Sequence, residues 1–459
     1  GFGDNRGMKW LPRLLCLALG LVPLAASADP MRTRLQGAVD VVRQREGMQG
    51  VTAAVFTPNG DWILASGESH PGVPMRADHL LAVGSNTKTL TALVLLRLQE
   101  RGLIDLDDRI GRYLPPLTNV DTTVTVRQLL NHTSGLGDYV STQAYRDTTL
   151  AQATRLWTPP QLAALIPPPQ FAPGTSWSYC GTNFLLAGMI AQQAGGAPMH
   201  TLLRDEIRVP LGLDSMRFVP QEALLGTLAH RWLGGADVTA RPMTAEWSGA
   251  WAAGAVVSTA GEMAELYEGL FSGALLSSAS MSEFLNFIGP ESYGLGITLK
   301  NLAGRDVIGH SGSIRGYTST AHWVPSLSSV IVVLVNELPS TPIAVTDTLV
   351  RELAQATLDA PPVTPETTVR MLRRVSPNPA TGSVRVAFTL PAASDVELAV
   401  FGADGRRVRT VARGRWDAGA HERVWDGRDD VGREVPPGLY LVRCSTPTLS
   451  DTRRVVRVR

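Results

Sequence analysis

The sequence has few cysteines and almost no net charge. Only three cysteines occur in 459 residues, and Cys16 lies in an N-terminal apolar segment. The other two are too few for a disulfide framework. A formal net charge of +1 gives no indication of nucleic-acid binding, so we expect no such partner. Metal-binding, dinucleotide and phosphate-loop motifs are also missing, and the sequence therefore predicts neither a metal nor a cofactor.

Lysine is scarce as well, with three lysines among 42 basic residues. Arginine stays protonated in proteins, whereas a buried lysine can lose its proton and act as a base. A position that keeps lysine in an arginine-rich chain is therefore a candidate for chemistry. Lys88 and Lys300 are the two lysines that follow the N-terminal apolar segment.

That segment, residues 8–28, has the layout of a secretory signal peptide. Two basic residues precede an apolar run, and Ala26-Ser27-Ala28 provides the small residues of a cleavage site. We expect cleavage after Ala28 and a secreted, periplasmic or cell-surface protein. No later apolar run is long enough to cross a bilayer, so we expect no membrane span in the mature form.

The rest of the chain divides into two domains. Residues 29–360 mix helical periodicity with short apolar strands, which indicates an α/β domain. Residues 361–375 are rich in Pro and Thr and are predicted to be a linker. Residues 376–459 contain short alternating strands between turns, which is typical of a small β-sandwich.

Ser85 and Lys88 form the first candidate for chemistry. They stand three residues apart at the start of an apolar helix predicted over 87–103, so their side chains can meet on one face. A lysine base could then activate the serine hydroxyl as a nucleophile. The alternative is a helix-capping serine beside a solvated lysine.

Two further segments carry candidate residues. Tyr179 follows a Pro-rich loop and precedes a helical run. "HSGS" provides an imidazole, a hydroxyl and glycine-flanked amides on one predicted strand, the groups that could hold a carboxylate or an oxyanion. Its residues are His310, Ser311, Gly312 and Ser313. A histidine in that place could also be purely structural.

Together, "SNTK", "SYCG" and "HSGS" resemble the three motifs of the penicillin-binding and β-lactamase-like serine hydrolases. The similarity covers roughly residues 35–355 and is strongest to the class C β-lactamase, D-alanyl-D-alanine carboxypeptidase and esterase branch. It implies an α/β (α+β) fold, in which helices flank an antiparallel sheet and a helical subdomain is added.

The resemblance also implies roles for single residues. Ser85 resembles the acylated nucleophile, Lys88 its proton acceptor and Tyr179 the group that protonates the leaving group. His310 takes the place of the third-motif lysine or histidine, which assists the tyrosine and a substrate carboxylate. Ser311, Gly312 and Ser313 belong to the substrate-binding strand, and the amides of Ser85 and Ser313 match the oxyanion hole. His132, in "NHTSGL", matches a structural loop.

One position departs from the family pattern. Gly181 stands where the family usually has an asparagine that contacts the lysine and the substrate's amide carbonyl. Asn183 lies nearby, but relatives keep that residue too, so it is no evident replacement. Loss of one donor costs on the order of 10²–10³ in rate where it acts on the transition state. We therefore expect amides and β-lactams to be affected more than esters, unless a water fills the space.

The C-terminal segment resembles the FlgD-type Ig-like domain and related sorting domains of secreted bacterial proteins. The similarity rests on "SPNP", "DGR", "WDG" and "PGLY" within 376–459. Residues 361–459 carry 17 arginines against 11 acidic residues. Secretion or attachment to the cell surface, through contact with export machinery, is one interpretation. A passive spacer or a dimer contact, with the arginines on a solvated face, is the other.

The expected function is that of a secreted serine hydrolase. It would form an acyl-enzyme on Ser85 and cleave an ester, a D-Ala-type peptide or a β-lactam. Its partner would be a small-molecule or peptide substrate. The alternative is a non-catalytic protein of the same fold that binds a cell-wall peptide.

Overall fold

The computed structural model describes residues 29–359, 371–376, 380, 382–390, 392–402 and 405–457. The predicted signal peptide and its cleavage site after Ala28 lie outside these residues, as does most of the predicted linker. The α-helices are α1 (Pro30–Glu46), α2 (Asn86–Glu100), α3 (Val126–Leu130), α4 (Gln143–Ala151), α5 (Pro159–Ala163), α6 (Gly181–Gly195), α7 (Met199–Leu203), α8 (Val209–Leu211), α9 (Thr244–Ala250), α10 (Ala260–Phe271), α11 (Ser278–Phe284) and α12 (Pro342–Asp359).

Thirteen strands are described before residue 360 and seven after it. The first group is β1 (Gly50–Thr57), β2 (Gly60–His70), β3 (Val73–Pro74), β4 (Leu81–Ala82), β5 (Arg217–Phe218), β6 (Trp232–Leu233), β7 (Ala236–Asp237), β8 (Val256–Ser258), β9 (Thr298–Leu302), β10 (Arg305–Ile314), β11 (Tyr317–Val324), β12 (Ser329–Val335) and β13 (Glu337–Leu338). The second is β14 (Leu372–Ser376), β15 (Val384–Leu390), β16 (Ser394–Gly402), β17 (Arg407–Trp416), β18 (Gly419–Trp425), β19 (Gly438–Ser445) and β20 (Ser450–Arg457).

The first domain is built on an antiparallel sheet of seven strands in the order β3-β2-β1-β12-β11-β10-β9. In the sequence, Pro58-Asn59-Gly60 between two apolar stretches predicts a hairpin turn, and β1 and β2 form that hairpin. β12 lies in the middle of the sheet, and all of its residues are buried. Its continuous apolar run is therefore explained by cover on both faces.

Helices cover both faces of this sheet, as the fold class predicted. α1 and α12 pack on one face, where Leu35 and Leu349 meet Val333 in a shared core. α10 packs on the other face, and α2 lies in the same larger core beside α6. α3 to α9 and two three-stranded sheets extend this second layer. The layer matters for function because β10, α2 and α6 meet within it.

The C-terminal residues form two sheets, β14-β15-β18 and β17-β16-β19-β20. Their facing side chains make a separate core, which includes Phe388, Leu398 and the fully buried Trp425. β14 pairs with β15 and therefore lies inside this domain. The sandwich thus begins within the range 361–375 that the sequence had indicated as linker.

Among the described residues, no helix combines the length and the apolarity that a bilayer crossing requires.

Candidate active site

Ser85 and Lys88 lie at the start of α2, immediately after a turn at Gly84. Gly84 has a φ of +52°, in the left-handed region that favours glycine. The side chain of Ser85 makes no capping hydrogen bond, so its hydroxyl is not used to terminate the helix. Lys88 is 3% exposed, and its Nζ lies 3.0 Å from Ser85 Oγ and 2.9 Å from the carbonyl oxygen of Ala253. The alternative of a capping serine beside a solvated lysine is therefore wrong.

Tyr179 lies above this pair on the loop that enters α6. The Nζ of Lys88 is 4.9 Å from the centroid of the Tyr179 ring. The tyrosine is 41% exposed, so its hydroxyl can meet a ligand that enters from solvent. Ser85, Lys88 and Tyr179 thus lie together although they come from two distant parts of the sequence.

A buried histidine holds the Tyr179 loop in place. His132 is fully buried, and its ring centroid lies 4.5 Å from that of Tyr179. Its Nδ1 accepts a hydrogen bond from the backbone N–H of Cys180, and its carbonyl oxygen accepts one from Ser178. Burial lowers the pKa of His132 well below its usual range, with Lys88 adding to the effect. These contacts agree with the structural interpretation of "NHTSGL".

The backbone of the third motif lies directly against the backbone of the turn that precedes α2. A Cβ atom on Gly312 would lie 1.9 Å from the carbonyl oxygen of Val83, and one on Gly84 would lie 2.6 Å from the amide nitrogen of Ser313. Only glycines allow this approach, which brings the amide of Ser313 next to the turn that carries Ser85. Two amides at such a turn can stabilise an oxyanion.

His310 lies behind Tyr179, not beside the cavity. It is 4% exposed, and its Nε2 is 3.0 Å from the hydroxyl of Tyr293. Its Nδ1 contacts the carbonyl oxygen of Ser311, so Nδ1 donates and Nε2 accepts from the tyrosine. Burial lowers the pKa of His310 to about 3, with the charge of Lys88 adding to the effect, so the ring is neutral near pH 7.

One cavity of about 440 Å³ joins most of the predicted residues. Ser85, Lys88, Tyr179 and Ser313 line it. His310, Ser311 and Gly312 are not among its lining residues. A direct contact of His310 with substrate therefore stays a prediction of the resemblance, whereas its observed contacts connect it to Tyr293.

Gly181 faces a carboxylate and not an empty space. Its N–H donates to Asp138 Oδ1 at 3.1 Å. A Cβ at this position would lie 2.9 Å from Val140 Cγ2 and 3.1 Å from Asp138 Oδ1. Burial raises the pKa of Asp138, against the effects of the Val140 N–H and the charge of Lys88. The room that an asparagine side chain would need is thus taken by Asp138 and Val140.

Asn183 does not substitute for the missing side chain. Its Oδ1 accepts from the hydroxyl of Ser134 at 2.6 Å, and its Nδ2 lies 2.9 Å from His132 Nδ1. Both ends of the fully buried amide are therefore engaged away from the cavity.

Sequence reasoning missed several residues of the site. Tyr293 comes next to His310 through tertiary packing, and no motif marks it. Asp138 follows "NHTSGLG" closely, and Arg315 follows the third motif by two residues, so proximity to known motifs was the available signal. Glu246 on α9 had no signal at all.

Among the described residues, no group of three His, Cys, Asp or Glu side chains could hold a metal ion.

Comparisons with known proteins match both domains to families. Residues 35–356 match the Beta-lactamase family model, and residues 374–449 match the FlgD Ig-like domain model. Penicillin-binding protein 4 of Amycolatopsis lactamdurans is 32% identical over 202 residues, which is 42% of this chain and 51% of that protein. Esterase EstB of Burkholderia gladioli is 30% identical over 230 residues, which is 45% of this chain and 56% of that protein.

The chain spans about half the length of these curated relatives. A solved structure aligns over more of the fold. The crystal structure of a D-stereospecific amidohydrolase from Streptomyces sp. has a TM-score of 0.62 and 30% identity, and the alignment covers 69% of this chain and 97% of that one. The chain belongs to the beta-lactamase family of serine hydrolases, and a FlgD Ig-like domain follows its family domain.

Proposed function

We propose that the protein hydrolyses its substrate through an acyl-enzyme formed on Ser85. The observation that carries the proposal is the 3.0 Å contact between Ser85 Oγ and the buried Nζ of Lys88. An uncapped serine hydroxyl next to a desolvated amine, on the wall of an open cavity, has the geometry of a nucleophile with its base.

The first half of the reaction would proceed at this contact. The Nζ of Lys88 takes the hydroxyl proton while Ser85 Oγ attacks the substrate's carbonyl carbon. The carbonyl oxygen gains the negative charge and is held by the amides of Ser85 and Ser313. As the tetrahedral species collapses, Tyr179 gives a proton to the leaving group. Water then attacks the acyl-enzyme and releases the acid, with the same groups moving protons in reverse.

The proposed substrates are esters first, and D-Ala-type peptides or β-lactams second. Beside Gly181 the cavity presents the carboxyl group of Asp138, where a carboxamide would donate an N–H to a substrate carbonyl. A carboxylate cannot make that donation. An ester depends less on such a contact because its leaving group departs more readily than an amine. Relatives named for ester hydrolysis and for amide hydrolysis both support the reaction class.

A second candidate is a protein of the same fold that binds a cell-wall peptide without turnover. The burial of Lys88 argues against it. Within the described part of the chain, Lys88 hydrogen-bonds only to Ser85 and the Ala253 carbonyl. Such a buried lysine is costly to keep in a protein that has no use for the amine.

The proposed location is outside the cytoplasm. It rests on the signal-peptide layout of residues 8–28 and on the FlgD Ig-like domain, which we propose contacts export machinery or the cell surface. A passive spacer remains the competing role for that domain.

Intact-mass spectrometry tests the central step. The protein is exposed to a fluorophosphonate and, separately, to a penicillin, with Ser85→Ala beside it. Labelling by both, lost in the variant, supports a penicillin-recognising hydrolase. Labelling by the fluorophosphonate alone supports the ester-preferring form. Absence of any Ser85 adduct with both reagents supports the non-catalytic candidate.

A further inference from the structure

The same cavity has a second polar region away from Ser85. Ile314 and Arg315 at the tip of the β10–β11 hairpin, Arg146 of α4 and Glu246 of α9 line it. We call these four residues the outer end. Arg315 stands two residues after Ser313, in the turn of the hairpin, and two residues of chain span at most about 7 Å. A substrate acylated on Ser85 could therefore reach the outer end with a short chain.

Glu246 is buried at the outer end without hydrogen bonds. Its side chain is 9% exposed, and neither carboxylate oxygen has a hydrogen-bond donor among the described residues. Arg241 Nε and Arg315 Nε stand 3.7 and 3.9 Å from Glu246 Oε1, too far for hydrogen bonds. The Glu246 carboxylate therefore lies close to two guanidinium groups, but no hydrogen bond joins it to either of them.

Arginine is in excess around this carboxylate. Arg231, only 2% exposed, is coupled electrostatically to Glu246, Arg241 and Arg315. The Nε–H groups of Arg241 and Arg315 and one terminal nitrogen of Arg231 have no acceptor among the described residues. The guanidinium groups of Arg241 and Arg315 therefore share a single carboxylate, and Arg146 adds a further one on the cavity wall. Buried donors of this kind are normally paired. Of the three, only Arg315 lines the cavity, so its guanidinium is the one to which a ligand can bring an acceptor.

We propose that the outer end is a subsite for a carboxylate group on the substrate, bound by Arg315 with Arg146. Glu246 is a positioning residue that holds the Arg315 guanidinium toward the cavity. The side chain of Arg315 is 30% exposed, which leaves it accessible to a ligand. This inference deepens the proposed function and rests on it: the preferred acyl substrate carries an anionic group a few bonds from the reacting carbonyl.

Matched esters test the subsite. The series consists of 4-nitrophenyl esters of glutaric and adipic acid with a free distal carboxylate, the same esters with that carboxylate methylated, and ω-amino esters of equal length. We expect kcat/KM for the best free carboxylate to exceed that of its methylated counterpart by about tenfold, mostly through KM, as a charge-assisted hydrogen bond provides. The uncatalysed rate is subtracted in each case.

Two variants locate the effect. Arg315→Gln is expected to reduce the carboxylate-to-methylated ratio of kcat/KM by about tenfold. Arg305→Gln, at the end of β10 opposite to the hairpin tip and outside the cavity, is the matched control and should leave the ratio unchanged. Equal rates for the two esters, or a preference for the ω-amino ester that Glu246→Gln removes, would overturn the proposal.

A binding experiment separates this proposal from the catalytic one. Ser85→Ala cannot be acylated, so titration calorimetry with methyl hydrogen adipate and dimethyl adipate reports on the subsite alone. Tighter binding of the free carboxylate, lost when Arg315→Gln is added, supports the subsite even if the wild-type protein turns nothing over. Equal binding of the two compounds rejects it even if the protein is an active esterase.

Discussion

The two ends of the cavity are built in opposite ways. At the inner end, Ser85 and Lys88 contact each other, and Lys88 also contacts Ala253, at 2.9–3.0 Å. At the outer end, Glu246 and Arg315 stand 3.9 Å apart without a hydrogen bond. The inner end is therefore complete before a substrate arrives, whereas the outer end is completed by one. Prearranged groups suit a reaction that is common to a family, and incomplete groups suit the selection of a particular substrate.

The largest effect is expected at the inner end from Lys88→Ala. Loss of the base should lower kcat by on the order of 10³-fold with a simple ester, because proton transfer from Ser85 is no longer assisted. Lys300→Ala is the matched control, since Lys300 is the other lysine of the described chain and lies on β9. Comparable kcat values for the two variants would show that the inner end is not the reacting centre.

A second test addresses the backbone contact on which the inner end depends. Gly312→Ala would force a methyl group to within 1.9 Å of the Val83 carbonyl oxygen, so the strand and the turn must separate. We expect a loss of about 1–3 kcal/mol in the free energy of unfolding, as for overpacked cores, together with slower acylation of Ser85.

Gly37→Ala provides the control for the same change. Gly37 lies on α1, and a Cβ there meets no atom within 4 Å. Helix propensity predicts a gain of up to about 1 kcal/mol at this site. Denaturant titration measures whether the free energy of unfolding falls in Gly312→Ala and rises in Gly37→Ala. An unchanged free energy of unfolding in Gly312→Ala would mean that the approach of Gly312 to Val83 does not exclude a side chain.

The smallest effect is expected at Asp138→Asn. The substitution keeps an oxygen that can accept from the Gly181 N–H and adds an amide that can donate to a substrate carbonyl. One added hydrogen bond should raise the amide-to-ester ratio of kcat/KM by up to about tenfold. Asp147→Asn, the same change at an exposed position of α4, should leave that ratio as it was. An unchanged ratio in Asp138→Asn would remove Asp138 from the explanation of substrate preference.

The inner end could largely be predicted from the sequence because its parts are local. Ser85 and Lys88 are one helical turn apart, so their contact follows from helix geometry, and the hairpin and the central strand followed from turn residues and apolar runs. The outer end could not be predicted. Glu246 and Arg315 come from a helix and a hairpin that meet only in the folded domain, and no short pattern describes that meeting.

His310 and Gly181 show where motif reasoning is incomplete. The motif correctly predicted that His310 lies on a strand. It did not predict the hydrogen bond between His310 and Tyr293, because Tyr293 lies outside every motif and reaches His310 only through tertiary packing. The absence of a side chain at Gly181 was visible in the sequence. The sequence did not show that Asp138 and Val140 occupy the space beside Gly181, because their loop approaches α6 only in the tertiary structure.

The close approach of Gly84 to Gly312 has a consequence for the evolution of the sequence of such a protein. Main-chain atoms set the distance between the turn that carries Ser85 and the strand beside it, so the proposed oxyanion hole does not depend on which side chains stand at 313–315. Those positions are free to vary while the two glycines are kept. Reaction and substrate choice can therefore evolve separately on one scaffold, and a directed-evolution library confined to the hairpin tip should yield altered specificities without loss of the catalytic step.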